Sequence, residues 1–229
     1  MGSDMARTPK TPKFDAFNSS AHCFGSRQEH DGTWQDHFAY SGQKLTVEVG
    51  CGHAELSLEL ARRYPDELFI GVDKKSDRMS RAAILASQEK LQNIGFIQTD
   101  SRQLQEFFDE SQVDVVWVTF PDPYPRVKHE KNRLMNQRFI GIYKNLLKPG
   151  GLIRFKTDDE TLFDYFMQEI FPKHKDLEIL LESRDLHDSD LPEEYKIITT
   201  YEERWIAEGR KIFFVELRFN QIDASPGIK

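Results

Sequence analysis

Val47-Glu48-Val49-Gly50-Cys51-Gly52-His53-Ala54-Glu55 reads as the end of a strand, a glycine turn and the opening of a helix. Glycine at 50 and 52 frees the backbone to adopt angles other residues resist and to approach a ligand closely. A dinucleotide fingerprint needs G-x-G-x-x-G, which seats a pyrophosphate on the helix N-terminus. Its third glycine would fall at Glu55, where a carboxylate repels a pyrophosphate, so a dehydrogenase is disfavoured.

Working outward, short β-rich runs recur at 45–49, 68–72, 94–98, 113–120 and 151–156. Between them apolar residues fall at helical spacing, as in Leu56 and Leu60 or Met79, Ala83 and Leu91. Strand and helix alternating at this rhythm predict βαβ units and a parallel sheet. Ser76 is expected to cap the second helix, with Asp77 in its first turn. Lys148-Pro149-Gly150-Gly151 is expected to close a later helix and turn into the fifth strand. After about residue 175 the rhythm changes, and 177–181 and 212–219 read as two further strands around a polar insert. The expected fold is α/β and Rossmann-like: a mostly parallel seven-stranded sheet with an antiparallel C-terminal hairpin strand, as in a methyltransferase. Residues 1–43 are polar with scattered aromatics. They are expected to form a partly ordered N-terminal arm ahead of one domain over 44–229.

Acids stand at the ends of three successive strands. Glu48 precedes the glycine turn and suits a cationic ligand. Asp73 closes Ile70-Gly71-Val72-Asp73, where an acid accepts ribose hydroxyls. Asp100 closes the third strand, within reach of an adenine amine. S-adenosylmethionine carries a sulfonium and an amino group and no phosphate, which matches this set. After the fourth strand comes Phe120-Pro121-Asp122-Pro123-Tyr124-Pro125-Arg126, then a basic run with Lys128, Lys131, Arg133 and Arg138. Prolines hold one carboxylate, Asp122, rigidly at a strand end. The run beside it, with Lys128, Lys131 and Arg133 foremost, offers phosphate contacts.

The bulk numbers leave room for this. At 229 residues the chain can bury a full core. A net charge of −7 argues mildly against a nucleic-acid partner, yet the basic run is a local footprint. Cys23 and Cys51 are too few for a disulfide framework, and reduced thiols point to the cytoplasm. No apolar stretch approaches a membrane span, and no metal is expected. Monomer and homodimer stay open.

From Gln43 to Phe219 the chain resembles the class I S-adenosylmethionine-dependent methyltransferases and, more narrowly, the tRNA (guanine-N7-)-methyltransferases. The resemblance lies in Glu-Val-Gly-Cys-Gly, Gly-Val-Asp, the Pro-Asp-Pro block with its basic run, Lys-Pro-Gly-Gly, Thr157-Asp158 and Thr199-Thr200-Tyr201-Glu202. It implies S-adenosylmethionine at Glu48, Gly50, Asp73 and Asp100, and catalysis by Asp122. Substrate contacts are implied at Arg126, Asp158, Thr199, Thr200, Tyr201 and Glu202, with tRNA as partner and a variable-loop guanosine as acceptor. Tyr124 stands where the family usually has Trp, and His53-Ala54 replaces the usual continuation to a third glycine.

The chemistry is coherent with these residues. N7 of guanine has an in-plane lone pair and no proton, so its methylation needs no base; Asp122 then serves to stabilise the charge that develops on the ring. A carboxylate also accepts from guanine N1–H and the exocyclic amine together, with Asp158 and Glu202 as candidate readers. Tyr124 and Tyr201 are candidate stacking platforms. An amino-group methyltransferase of another base is the rival enzyme reading, but its acceptor loop carries two prolines between acid and aromatic, and this chain has one. A methyltransferase-like scaffold that binds RNA without turnover is the non-enzymatic rival.

Overall fold

The computed structural model describes Phe17 and residues 20–25, 34–40 and 43–220. Among the described residues eight strands form one sheet in the order β1-β4-β3-β2-β5-β6-β8-β7. They are β1 (Cys23–Phe24), β2 (Leu45–Val49), β3 (Leu68–Asp73), β4 (Ile94–Gln98), β5 (Val113–Thr119), β6 (Leu147–Thr157), β7 (Leu177–Ser183) and β8 (Phe213–Phe219). β1 to β6 run parallel, and β8 lies antiparallel between β6 and β7. The sheet thus has one strand more than expected. Cys23–Phe24 of the arm pairs beside β4, too short a strand to leave any period in the sequence.

Successive side chains on a strand point to opposite faces, and both faces here are covered. Leu45, Val47, Val49, Ile70, Val116 and Val118 enter one core, with α4 (Gln137–Leu146) and α5 (Glu160–Tyr165). Phe69, Phe96, Val115 and Trp117 enter the other, under α2 (Glu55–Arg63) and α3 (Ser76–Gln88). Strands buried on both faces become near-continuous apolar runs, which is why β2 to β6 were legible.

The arm contributes α1 (Trp34–His37), whose fully buried Trp34 donates its indole N–H to the Phe107 carbonyl at 2.8 Å. Phe17 is buried in the second core. Residues 1–16, 18–19, 26–33 and 41–42 of the arm lie outside the described residues. Two local expectations change. Ser76 is the first helical residue of α3 rather than its cap; Lys75 precedes it with no side-chain cap bond. β6 starts at Leu147, and the Pro149-Gly150 turn bulges out between the pairs Val113–Leu147 and Val115–Leu152. Strand order reverses around β2, so ligands are expected outside the carboxyl ends of β2 to β5.

Candidate active site

A cleft of about 240 Å³ opens at those ends. Its walls include Gly50, Asp73, Asp100, Phe120, Asp122 and Tyr124, which joins three of the expected cofactor residues to the expected catalytic one. Gly50 turns at φ 74°, and a Cβ there would meet Leu134 Cδ1 at 2.7 Å. A side chain at that corner would be strained by the backbone angle and would have to displace the end of the Leu134 side chain.

Asp73 is almost buried. Its two carboxylate oxygens accept the Gly52 N–H at 3.1 Å and the Lys75 N–H at 2.8 Å. Each oxygen keeps a lone pair, the disposition a ribose diol needs. Asp100 caps the 3₁₀ turn at Ser101–Glu106 through the Arg102 N–H and takes the Arg102 guanidinium in a fork at 2.7 and 2.6 Å. Those bonds draw its carboxyl down to about 2. Glu48 does not line the cleft. It lies beneath the turn, 4% exposed, where it accepts Ser57 N–H at 3.1 Å and Ser57 Oγ–H at 2.5 Å at the start of α2. Burial, reinforced by the charge of Asp73, lifts its carboxyl to about 7 against the pull of the Ser57 bonds.

The Pro-Asp-Pro loop leaves β5 with Phe120 at φ 46° and Tyr124 at φ 44°. Bulky residues rarely enter the left-handed region, and such strain persists only where surroundings impose it. Phe120 N–H is held by the Lys156 carbonyl at 2.8 Å. At the far end Arg133 donates from Nε to the Pro123 carbonyl at 3.0 Å and from Nη2 to the Tyr124 carbonyl at 3.1 Å. Asp122, between these anchors, is exposed and makes no hydrogen bond or ion pair among the described residues. Arg133 is only 8% exposed, so it leaves the solvent-facing strip to Arg126, Lys128, Lys131 and Arg138.

Over residues 42–215 the chain matches the family model described as "Putative methyltransferase". A tRNA (guanine-N(7)-)-methyltransferase of Cytophaga hutchinsonii is 36% identical over 191 residues, covering 83% of this chain and 86% of that protein. One of the same name from Enterococcus faecalis is 34% identical over 194 residues, covering 84% and 87%. This chain belongs to the tRNA (guanine-N7-)-methyltransferase family. The antibiotic-resistance methyltransferase Kmr shares its fold at TM-score 0.57 and 16% identity, over 82% of this chain and 94% of that one. The 16S rRNA methyltransferase KamB does so at TM-score 0.60 and 11% identity, over 86% and 95%.

Membership in a methyltransferase family implies S-adenosylmethionine as methyl donor, and the cleft fits it. Asp73 offers free lone pairs, and the left-handed backbone angle of Gly50 disfavours a side chain where the cofactor would approach.

The acceptor-side residues of this methyltransferase stand differently from expectation. Thr199 caps α6 (Thr200–Ala207): its hydroxyl accepts the Glu202 N–H, and the Glu202 carboxylate accepts the Thr199 N–H at 3.3 Å, a capping box. Glu202 is 0% exposed; its other oxygen meets Lys156 Nζ at 2.6 Å and His187 Nε2 at 2.7 Å. A carboxylate so enclosed has no face left for a base edge. The Thr-x-x-Glu spacing was the signal that could have shown it. Lys156, 1% exposed, also donates to the carbonyls of Tyr195 at 3.2 Å and Ile197 at 2.9 Å, which fastens the polar insert to β6. Burial lowers its ammonium below the usual lysine range, with Glu202 opposing.

Thr200 is spent on Glu55, donating its N–H at 2.6 Å and its hydroxyl at 2.8 Å. Tyr201 stays 52% exposed and stacks on Trp205 at 5.9 Å and 27°, while Trp205 meets Phe120 at 4.8 Å. An aromatic row therefore leads from the cleft wall to the surface. Asp158 pairs with Arg210 at 2.9 Å, and burial raises its carboxyl. Arg126 is exposed. Neither these two nor Thr199 to Glu202 line the cleft. Sequence reading missed Lys156 and Trp205, which carry no motif of their own, and saw Glu55 and Phe120 only as members of motifs without the contacts they make. Among the described residues no cluster of His, Cys, Asp and Glu is poised for a metal, and no helix is long and apolar enough to cross a membrane.

Proposed function

We propose that this protein methylates N7 of a guanosine in tRNA, in the variable loop, with S-adenosylmethionine as donor. One observation carries the reading: of the three acids lining the cleft, Asp73 and Asp100 have their oxygens engaged by neighbours, and Asp122 alone has none among the described residues. A free carboxylate on a braced loop is the group available to an acceptor base.

S-adenosylmethionine, when bound, supplies an electrophilic methyl group on a sulfonium. Asp73 receives the ribose hydroxyls, Gly50 lets the chain approach, and Asp100 borders the adenine end. N7 brings its own lone pair and loses no proton, so Asp122 acts by orientation and charge. Holding the base in line can be worth roughly 7–11 kcal/mol. The fixed carboxylate stabilises the positive charge the purine acquires. Since Glu202 is enclosed, recognition of the guanine edge passes to Asp122 and to Asp158, whose Arg210 partner is half exposed and can yield it. Phe120, Trp205 and Tyr201 give the extruded base a surface to stack on. Lys128, Lys131 and Arg126 face solvent beside the loop, where backbone phosphates would pass.

The test is to incubate unmodified tRNA transcripts with methyl-labelled cofactor and map the product. The expected result is 7-methylguanosine in the variable loop. Label on an exocyclic amine, or none in tRNA from a protein that binds cofactor, overturns the reading.

A further inference from the structure

We propose that Arg133 is a positioning residue for the reaction: a buried guanidinium that sets the backbone carrying Asp122. This rests on the methyl transfer proposed above. Arg133 lies in the basic run, where a phosphate contact is the natural expectation. The structure turns it inward. It donates to the two successive carbonyls that follow Asp122, those of Pro123 and Tyr124. Its guanidinium carbon sits 4.0 Å from the centre of the Tyr165 ring on α5. Tyr165 is itself fixed, donating its hydroxyl to Glu130 Oε1 at 2.7 Å.

Two features make this more than packing. Among the described residues no carboxylate lies within ion-pair distance of Arg133, so the charge is buried against carbonyls and the Tyr165 side chain. A buried cation is costly without a counter-ion, and its retention needs compensation. The planar fork matches that task, because two parallel N–H donors fix two carbonyls at once and the flat face stacks on an aromatic ring. The loop also needs an external restraint, since Phe120 and Tyr124 hold left-handed angles on either side of Asp122. Lysine, a single point charge on a flexible stem, supplies neither fork nor stack.

The test compares Arg133→Lys and Arg133→Met with wild type in four measurements: cofactor affinity, salt dependence of tRNA binding, single-turnover methylation at saturating tRNA, and hydrogen exchange of the Phe120 N–H, which the Lys156 carbonyl holds at the root of the loop. Positioning predicts cofactor affinity within about twofold and an unchanged salt slope. It predicts single-turnover rates down about 100-fold for Met and about 10-fold for Lys, since small misplacement of a reacting group carries losses of that order. Exchange of the Phe120 N–H should rise in both. If the salt slope instead falls by about one while saturated turnover is intact, Arg133 is a phosphate contact and the proposal fails. Unchanged exchange of the Phe120 N–H in Arg133→Lys also overturns it. Hydrogen exchange needs no turnover, so this outcome is separable from a failure of the methyl-transfer reading. Should Met prevent folding, the Lys variant alone decides.

Discussion

Glu48→Gln should stabilise the protein, and only above a defined pH. The Glu48 carboxyl lies under the glycine turn with its pKa lifted from an ordinary 4.5 to about 7, chiefly by burial. A raised carboxyl means the folded chain keeps a proton that the unfolded chain has released. Stability therefore falls as pH rises from about 4.5 to about 7 and levels off beyond. A gap of roughly 2.5 at ~1.36 kcal/mol per unit gives about 3 kcal/mol lost by pH 8. Glutamine keeps an oxygen for Ser57 N–H and Oγ–H and has no proton to lose. Urea unfolding of both proteins across pH 5 to 8.5 should give curves that nearly meet at the acid end and part by about 3 kcal/mol at the alkaline end, or ~6–12 °C in Tm. A cationic cofactor favours the ionised form, so its affinity for wild type should climb with pH through about 7 and stay flat in the variant. A constant stability offset across the range would refute this account of the buried acid.

Asp73→Ala removes the proposed acceptor for ribose and should weaken S-adenosylmethionine binding by roughly 1.5–3 kcal/mol in calorimetry, with the fold retained. Lys156→Met leaves Glu202 buried without its ammonium partner, with only His187 and the Thr199 N–H beside it, and should cost ~3–5 kcal/mol in chemical denaturation. The double variant Lys156→Met, Glu202→Gln should cost less than the sum of the singles, as coupled partners do. Glu202→Gln should leave the preference for a guanosine over an inosine tRNA unchanged in competitive methylation; a narrowed preference would restore Glu202 as the base reader.

Legibility tracked the range of the forces involved. β2 to β6 could be read because each is sandwiched between two cores, so the apolar signal lies within a few residues. Asp122 stood out because flanking prolines are local too. What escaped depended on distant partners. Glu202 is enclosed by Lys156, which lies 46 residues upstream, and by His187, 15 residues upstream. Arg133 looks like any other cation in its run until Pro123, Tyr124 and Tyr165 are seen around it. The strand at Cys23–Phe24 owes its existence to the edge of β4.

The departure from a glycine pattern at 53–55 finds its reason in the same long-range packing. Ala54 takes φ 53°, an angle glycine adopts freely and alanine does not, so the turn bears a conformational cost of about 1 kcal/mol or somewhat more. Against that, Glu55 holds the first residue of α6 by two bonds, and His53 lies 5.9 Å from the Tyr201 ring. The carboxylate that excludes a pyrophosphate thus ties the cofactor turn to the helix bearing Tyr201 and Trp205. A generic phosphate-binding turn would have left that helix end, with its unsatisfied N–H groups, to solvent. Here the glycine turn and the aromatic row of Phe120, Trp205 and Tyr201 are joined through one side chain, so their separation is set by the fold itself.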